Sequence, residues 1–436
     1  MIAARPWLET RPIMPSPAAN VVRHLAACLL APSVAVLQVP LGRSLWGRSR
    51  SARTPFPSFR RQIGRASSAL AFFAASLAAT LFCGAAFAEP RFAVREGLAC
   101  SACHVNRTGG GMRTPFGVAW AQTHLSTWRA PGVSDPRLGE RITIGANLRM
   151  DERSVLPANT QLDGARYHAP PSSSFENSAG TLYLRADAIP EHLAVYIDET
   201  VAPEGASNRE AFVLLHGLPL SGYVKAGRFF LPYGLRIQDD TAFMRQQTGY
   251  TFANQDLGVE IGIAPHPFMA SFAVSNGTLG GADTNLPKQF TGQVGVVAPW
   301  GRLSASLAYN DTSVPAFPFK TLTAGLHGGL RFGRLGLLGS LDWIHGFVQP
   351  TAFDQYALFT EADFEAWQGV HFRGRFESFD PSFQIKENER DRFVLGGGWF
   401  PIQWLELRSE FRINRDIPQR VAGNANEILV QIHGFF

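Results

Sequence analysis

The chain has 436 residues, a formal charge of +5 and a pI near 9.2, the balance of a nucleic-acid or acidic-partner binder. That balance is local. Ten of the forty Lys and Arg residues fall in residues 1–88 against the single acid Glu9, so the remainder carries thirty bases and thirty-four acids and nucleic-acid binding loses its support.

Residues 1–88 read as a leader, with an export signal over about 60–88. Arg60, Arg61 and Arg65 form a positive n-region, Ala66–Phe82 an apolar stretch, and Ala86-Phe87-Ala88 a small-x-small cleavage site that puts the mature start near Glu89. Residues 1–58 are rich in Arg, Pro, Ala and Ser and are consistent with a start codon placed too far upstream. After cleavage two cysteines remain, Cys100 and Cys103. Beyond residue 88 no eighteen-residue apolar run occurs, which excludes a transmembrane helix there.

Residues 89–138 form the next unit, and its centre is Cys100-Ser101-Ala102-Cys103-His104. C-x-x-C-H is the spacing for covalent attachment of a c-type haem: two thiols bond the porphyrin edge and the adjacent imidazole ligates the iron. A structural zinc site would need further Cys or His at matching spacing, and a thioredoxin-like pair a βαβ setting; neither is present. One covalent haem c is therefore expected on Cys100, Cys103 and His104. The three glycines Gly109–Gly111 allow a sharp return of the chain. A short helix is expected over Phe116–Trp128, with Phe116, Trp120 and His124 on one face. Met112 is the first candidate for the sixth iron ligand and His124 the second, so the metal set is His104 with Met112 or His124. The competing readings are an apolar turn residue for Met112 and an exposed helix residue for His124. At about fifty residues the segment is too small to bury a haem in its own core, and it is expected to act as a plug in or under a larger body.

From residue 139 to 436 the pattern is period two. Leu405, Leu407 and Phe411 alternate with Glu406, Arg408, Glu410 and Arg412, and Leu182 and Leu184 with Tyr183, Arg185 and Asp187. A soluble sandwich shows the same alternation, so the order of the breaks decides. Short breaks near Pro190, Pro219, Pro265, Trp300, Gly333, Trp367–Gly369 and Pro401 alternate with longer ones near 151–178, 200–208, 230–256, 277–288, 312–319, 347–354, 380–389 and 414–424. Short turns, long loops and an even strand count predict an all-β fold, a transmembrane antiparallel barrel of about sixteen strands. Trp300, Trp343, Trp367, Trp399 and Trp404 are placed as an aromatic girdle, and the chain closes on the alternating strand ending Phe435-Phe436. The polar face assigns His192, Arg185, Asp187, Asp198, Glu361, Asp363, Arg373, Arg375, Glu406, Arg408, Arg412, His327, His371 and His433 to the lumen. Loop 230–256, second longest by this reading, is a candidate to fold inward and bring Met244 or Arg245 toward the haem. Within it Asp239-Asp240 offers oxygen ligands for a cation such as Fe²⁺, against the blander reading of solvated turn residues.

A signal, a single C-x-x-C-H near the mature start and a porin-like barrel to the end together resemble the fused monohaem c-type cytochrome–porin family, which includes outer-membrane iron-oxidising cytochromes. The resemblance covers residues 89–436. Residue by residue it carries over Cys100 and Cys103 as haem attachment sites and His104 as the proximal ligand. It implies a Gram-negative outer-membrane location, with the haem segment on the periplasmic side or in the lumen. It implies single-electron transfer between an extracellular donor or acceptor, Fe(II) foremost, and a periplasmic electron-carrier cytochrome, and it allows a homotrimer. Two other readings stand beside this one: a diffusion porin whose haem segment gates or senses, and an outward metal-oxide reductase.

Overall fold

The computed structural model describes residues 89–129, 132–162, 165–203, 205–313, 319–348 and 351–436. The expected leader and cleavage site lie outside the described residues. Sixteen long strands form one closed antiparallel barrel. In chain order they are β1 Ile142–Val155, β2 Ser172–Ile189, β3 Leu193–Ala202, β4 Ser207–Leu218, β5 Gly222–Phe230, β6 Gln255–Ile263, β7 Phe268–Ser275 and β8 Gln289–Ala298. They continue as β9 Gly301–Asp311, β10 Phe319–Phe332, β11 Leu335–Val348, β12 Thr351–Trp367, β13 Val370–Asp380, β14 Arg390–Trp399, β15 Leu405–Arg415 and β16 Glu427–Phe435. Each strand pairs with its sequence neighbours, and β16 closes on β1 from Glu427↔Val155 to Phe435↔Asn147. A closed ring leaves no backbone edge unpaired, which is what allows strands to stand in a lipid core.

The alternation sorts residues inside out relative to a soluble protein. Leu182, Leu184, Val213, Ile261, Leu303, Leu307, Leu326 and Leu395 are exposed on the outer wall, while Asp198, Glu210, Lys225, Glu260, His327, Glu361, Asp363, His371 and Glu406 are buried inside. The polar set expected in the lumen is there, with one exception. His192 sits exposed in the tight β2–β3 turn, its Nδ1 3.1 Å from the Pro190 carbonyl oxygen. Trp399 also departs from expectation. Instead of joining an outer girdle with Trp300 it is buried, and its indole N–H donates to Thr127 Oγ1 at 3.0 Å.

The break expected near 347–354 shrinks to a two-residue link, because β11 and β12 stay paired from Leu335↔Phe364 to Val348↔Thr351. The break expected over 151–178 holds a small hairpin, Ala158–Leu162 with Ala165–Ala169, so residues 231–254 become the longest plain connection. That loop turns into the lumen. Leu231, Tyr233, Leu235, Ile237, Phe243, Met244 and Arg245 are all buried. Its short helix Phe243–Gln246 begins where the Phe243 N–H donates to Glu377 Oε2 at 2.8 Å, and the Tyr233 hydroxyl donates to Asp342 at 2.8 Å.

Asp239 is the loop's main electrostatic anchor. Its Oδ2 accepts from Arg375 and Arg412, each at 2.8 Å. Burial alone would raise this carboxyl, but Arg412 and Arg375 overcome it and hold it well below its ordinary value of 3.8. A depressed carboxylate contributes its stability fully above 3.8 and loses it only as pH falls through the folded value. Asp239→Asn removes the carboxylate shared by two buried guanidiniums, which keep Glu361, Glu377 and Glu410 as partners, and is expected to cost about 1–3 kcal/mol. Heat-modifiability on a gel, with proteolysis of loop 231–254, checks this; a variant as heat-resistant and protease-resistant as the parent would disprove the anchor.

Candidate haem-attachment site

The segment before the barrel enters it through the mouth that carries the tight turns. Helix α1, Pro90–Glu96, starts with proline at its first position and ends at Gly97 in the left-handed region. Its Phe92 meets Phe400 at 5.9 Å and His371 at 5.4 Å between ring centroids. Arg91 is almost fully buried, pairs with Glu89 and lies 3.3 Å from Asp363 on β12. Helix α2, Cys100–Cys103, is one turn long, which sets the two thiols three positions apart on neighbouring faces. Helix α3, Pro115–His124, is capped by Thr114, whose Oγ1 accepts from Gly117 N at 3.1 Å and donates to the Ala102 carbonyl at 2.7 Å. Gly117 has no alternative here, since a Cβ would overlap the Cys103 carbonyl. The helix expected to reach Trp128 stops at His124 because Thr127 and Trp128 leave it to bond the Phe400 and Pro401 carbonyls at the β14–β15 turn.

Between α2 and α3 the chain makes a narrow hairpin. His104 bridges Arg113, and Val105 N donates to Met112 O at 3.0 Å. Gly109, Gly110 and Gly111 all have positive φ, and a Cβ at Gly111 would run into the Tyr196 hydroxyl. The tip is bolted to the wall. Asn106 Nδ2 donates to Glu210 at 2.5 Å, Lys225 Nζ donates to Asn106 Oδ1 at 3.1 Å, and Lys225 pairs with Glu260 at 2.9 Å. Pattern reading gave no signal for this cluster, because Lys225, Glu210 and Glu260 look like ordinary lumen residues until the hairpin meets them.

Beside the hairpin lies a cavity of about 760 Å³, lined by Cys100, Cys103, His104, Trp120, Phe435 and the strand residues facing them. Its size falls within the roughly 300–1,000 Å³ of cofactor sites. Both cysteines are unpaired, and Cys100 Sγ accepts from Arg302 at 3.1 Å. Burial pushes the His104 imidazole down to about 4, with Arg113 adding to it, so the ring is neutral at physiological pH and keeps a lone pair for a metal. Burial, then the Cys100 neighbour, pushes the Cys103 thiol up to about 11. His104 Nδ1 is buried without a hydrogen-bond partner. Two open thiols, a neutral adjacent imidazole and aromatic walls around one chamber fit a covalently attached haem.

The two sixth-ligand candidates stand elsewhere. Met112 is buried in a core cluster with Tyr196, Phe212 and Phe229, its backbone N–H donating to the Tyr196 hydroxyl at 2.9 Å. His124 is exposed at the end of α3, stacked on Trp120 at 5.4 Å with 6° between the planes. Neither is among the residues lining the cavity. His433 on β16 does line it, turned toward Asn147 and 3.5 Å from Glu406. Of the loop residues, Met244 packs with Val94 and Leu338. Asp239 and Asp240 are engaged by Arg375, Arg412 and Arg245, which removes the cation reading for that pair. Among the described residues no group of three or more His, Cys, Asp or Glu is placed to hold a metal ion.

No family model and no curated protein sequence matches the chain. Solved structures do. An anion-selective porin from Comamonas acidovorans superposes with a TM-score of 0.52 at 15% identity, covering 68% of this chain and 99% of that one. The trimer form of OmpT, an outer membrane protein of Vibrio cholerae folded in vitro, superposes at 0.51 with 10% identity, covering 68% and 99%. At these identities the likeness shows the sixteen-stranded fold alone.

Proposed function

We propose that the protein is an outer-membrane electron conduit, with one covalent c-type haem held by Cys100, Cys103 and His104 inside a porin-like barrel. The observation that carries this reading is the location of the motif: both free thiols and the adjacent imidazole line one cavity enclosed by the barrel wall and loop 231–254. Within that site Cys100 and Cys103 provide the covalent attachments and His104 a neutral nitrogen ligand. When bound, the haem supplies reversible one-electron exchange between an extracellular donor, Fe(II) foremost, and a periplasmic cytochrome. The chain's own residues hold the site in place. Asn106, Lys225 and Glu210 fix the hairpin, Arg91 ties the entering helix to Asp363, and Asp239 keeps the inward loop across the lumen.

A passive porin is less well supported, since the lumen is crossed by both the inward loop and the buried hairpin. An optical spectrum of the protein purified from a host able to mature c-type cytochromes tests the reading. A c-type α-band appearing on addition of Fe(II) to the oxidised protein supports the conduit with Fe(II) as donor. A band that dithionite alone produces removes Fe(II) and keeps the conduit, and no covalent haem at all defeats the proposal.

A further inference from the structure

Around the cavity Arg113 and Arg149 have no carboxylate in ion-pair range among the described residues, the partner a buried guanidinium normally requires, and Arg209 has Asp198 at 3.6 Å. Arg113 comes from the hairpin, Arg149 from β1 and Arg209 from β4, and all three line the chamber that holds the cysteines. They share the field of the Tyr183 hydroxyl on β2, with the Arg149 charge acting on Arg113 and the Arg209 charge on Arg149. The Nε of each is buried with no acceptor. Arg113 lies against the Phe435 ring at 4.2 Å and Arg209 against Phe230 and Phe252 at 5.2 Å, contacts that orient the guanidiniums without neutralising them. The three guanidiniums have one carboxylate in ion-pair range among the described residues. That is Asp198 beside Arg209, and Glu406 reaches Arg149 only through space. Guanidiniums lining a cavity in this way await an anion with planar carboxylate geometry.

The attachment chemistry supplies that anion. A c-type haem attached to the two cysteines through its vinyl-bearing edge would carry its propionates on the opposite edge, directed from the thiols into the chamber. We propose that Arg113, Arg149 and Arg209 are the clamp for the two haem propionates, an inference that rests on the haem reading above. The clamp neutralises two carboxylates in the lumen, keeps them ionised, and holds positive charge beside the iron centre, which favours its reduced form.

The test uses the full chain, with Arg149→Gln and Arg209→Gln singly and together, the corresponding Lys variants, and Arg153→Gln as a control that pairs with Glu427 instead. Haem content is read from the pyridine haemochrome spectrum, and the midpoint potential by spectroelectrochemical titration between about pH 5 and 8. Haem stays attached in every variant because Cys100 and Cys103 are untouched. In the double Gln variant the reduction equilibrium constant is expected to fall about tenfold, about 59 mV for one electron. Its potential also acquires a slope with pH as an unpaired propionate begins to take up a proton. The Lys variants restore the charge and remove the slope. Haem retained with the parent's potential and flat pH profile, or an equal shift in Arg153→Gln, overturns the clamp. A parent protein without covalent haem overturns the proposed function instead.

Discussion

Replacing Cys100 and Cys103 together by Ala is expected to abolish covalent haem while leaving the barrel intact. The thioether bonds require both sulfurs, and the chain's other two cysteines, Cys28 and Cys83, both fall in the expected leader. Structurally the thiols do little: both are only part-buried, and the one hydrogen bond Cys100 receives comes from Arg302. Haem-dependent peroxidase staining on a denaturing gel reads the attachment, and heat-modifiability of the same sample reads the fold. The expected result is complete loss of the stain with an unchanged shift between folded and unfolded bands. Stain surviving in the double variant would show that the haem is attached elsewhere, and the C-x-x-C-H reading would fall.

Deleting residues 90–128 is expected to turn a plugged barrel into an open pore. The hairpin tip and α1 occupy the lumen through specific pairs, Asn106 with Glu210 and Arg91 with Asp363. Once they are gone, Glu361, Asp363 and Glu406 face water, which solvates them, so their charge does not break the wall. The wall itself is a complete ring of strand pairs that does not depend on the plug. In planar bilayers the intact protein should conduct weakly and the deletion strongly, with loop 231–254 as the remaining constriction. Equal conductance in the two would mean that the hairpin leaves a free path, and would favour the diffusion reading over the conduit.

Two kinds of information are readable in the sequence alone. The first is strictly local. A period of two separates a wall-facing from a lumen-facing residue within each strand, so Leu405, Glu406, Leu407 and Arg408 fall on opposite faces whatever their distant neighbours are. The second is spacing. The tight turns at Pro190, Pro219, Pro265, Gly333 and Pro401 alternate with long loops, and a two-to-five-residue turn forces antiparallel neighbours. The position of Cys100, Cys103 and His104 belongs to the same class, since three positions apart on one helical turn is a property of the segment alone.

What only the tertiary structure decided depends on which distant residues meet. Met112 and His124 were both reasonable iron ligands by type and distance along the chain. The hairpin instead drives Met112 into the wall against Tyr196, and α3 leaves His124 outside on Trp120, because packing of the apolar side chain and capture of the helix end by Phe400 and Pro401 outweigh the local preference. Trp399 turned inward for a similar reason: Thr127 arrives from 272 positions away to accept its N–H. Asp239 reads as a solvated turn acid until Arg375 and Arg412, on β13 and β15, close on it. The arginines around Tyr183 come from the hairpin and from β1 and β4, and they converge only when the barrel closes and the plug enters. Periodicity and spacing are set by bonds along the backbone and are written in the sequence. Charge pairing across the lumen is a free-energy competition among all the groups that closure brings within a few ångströms, and the fold decides it.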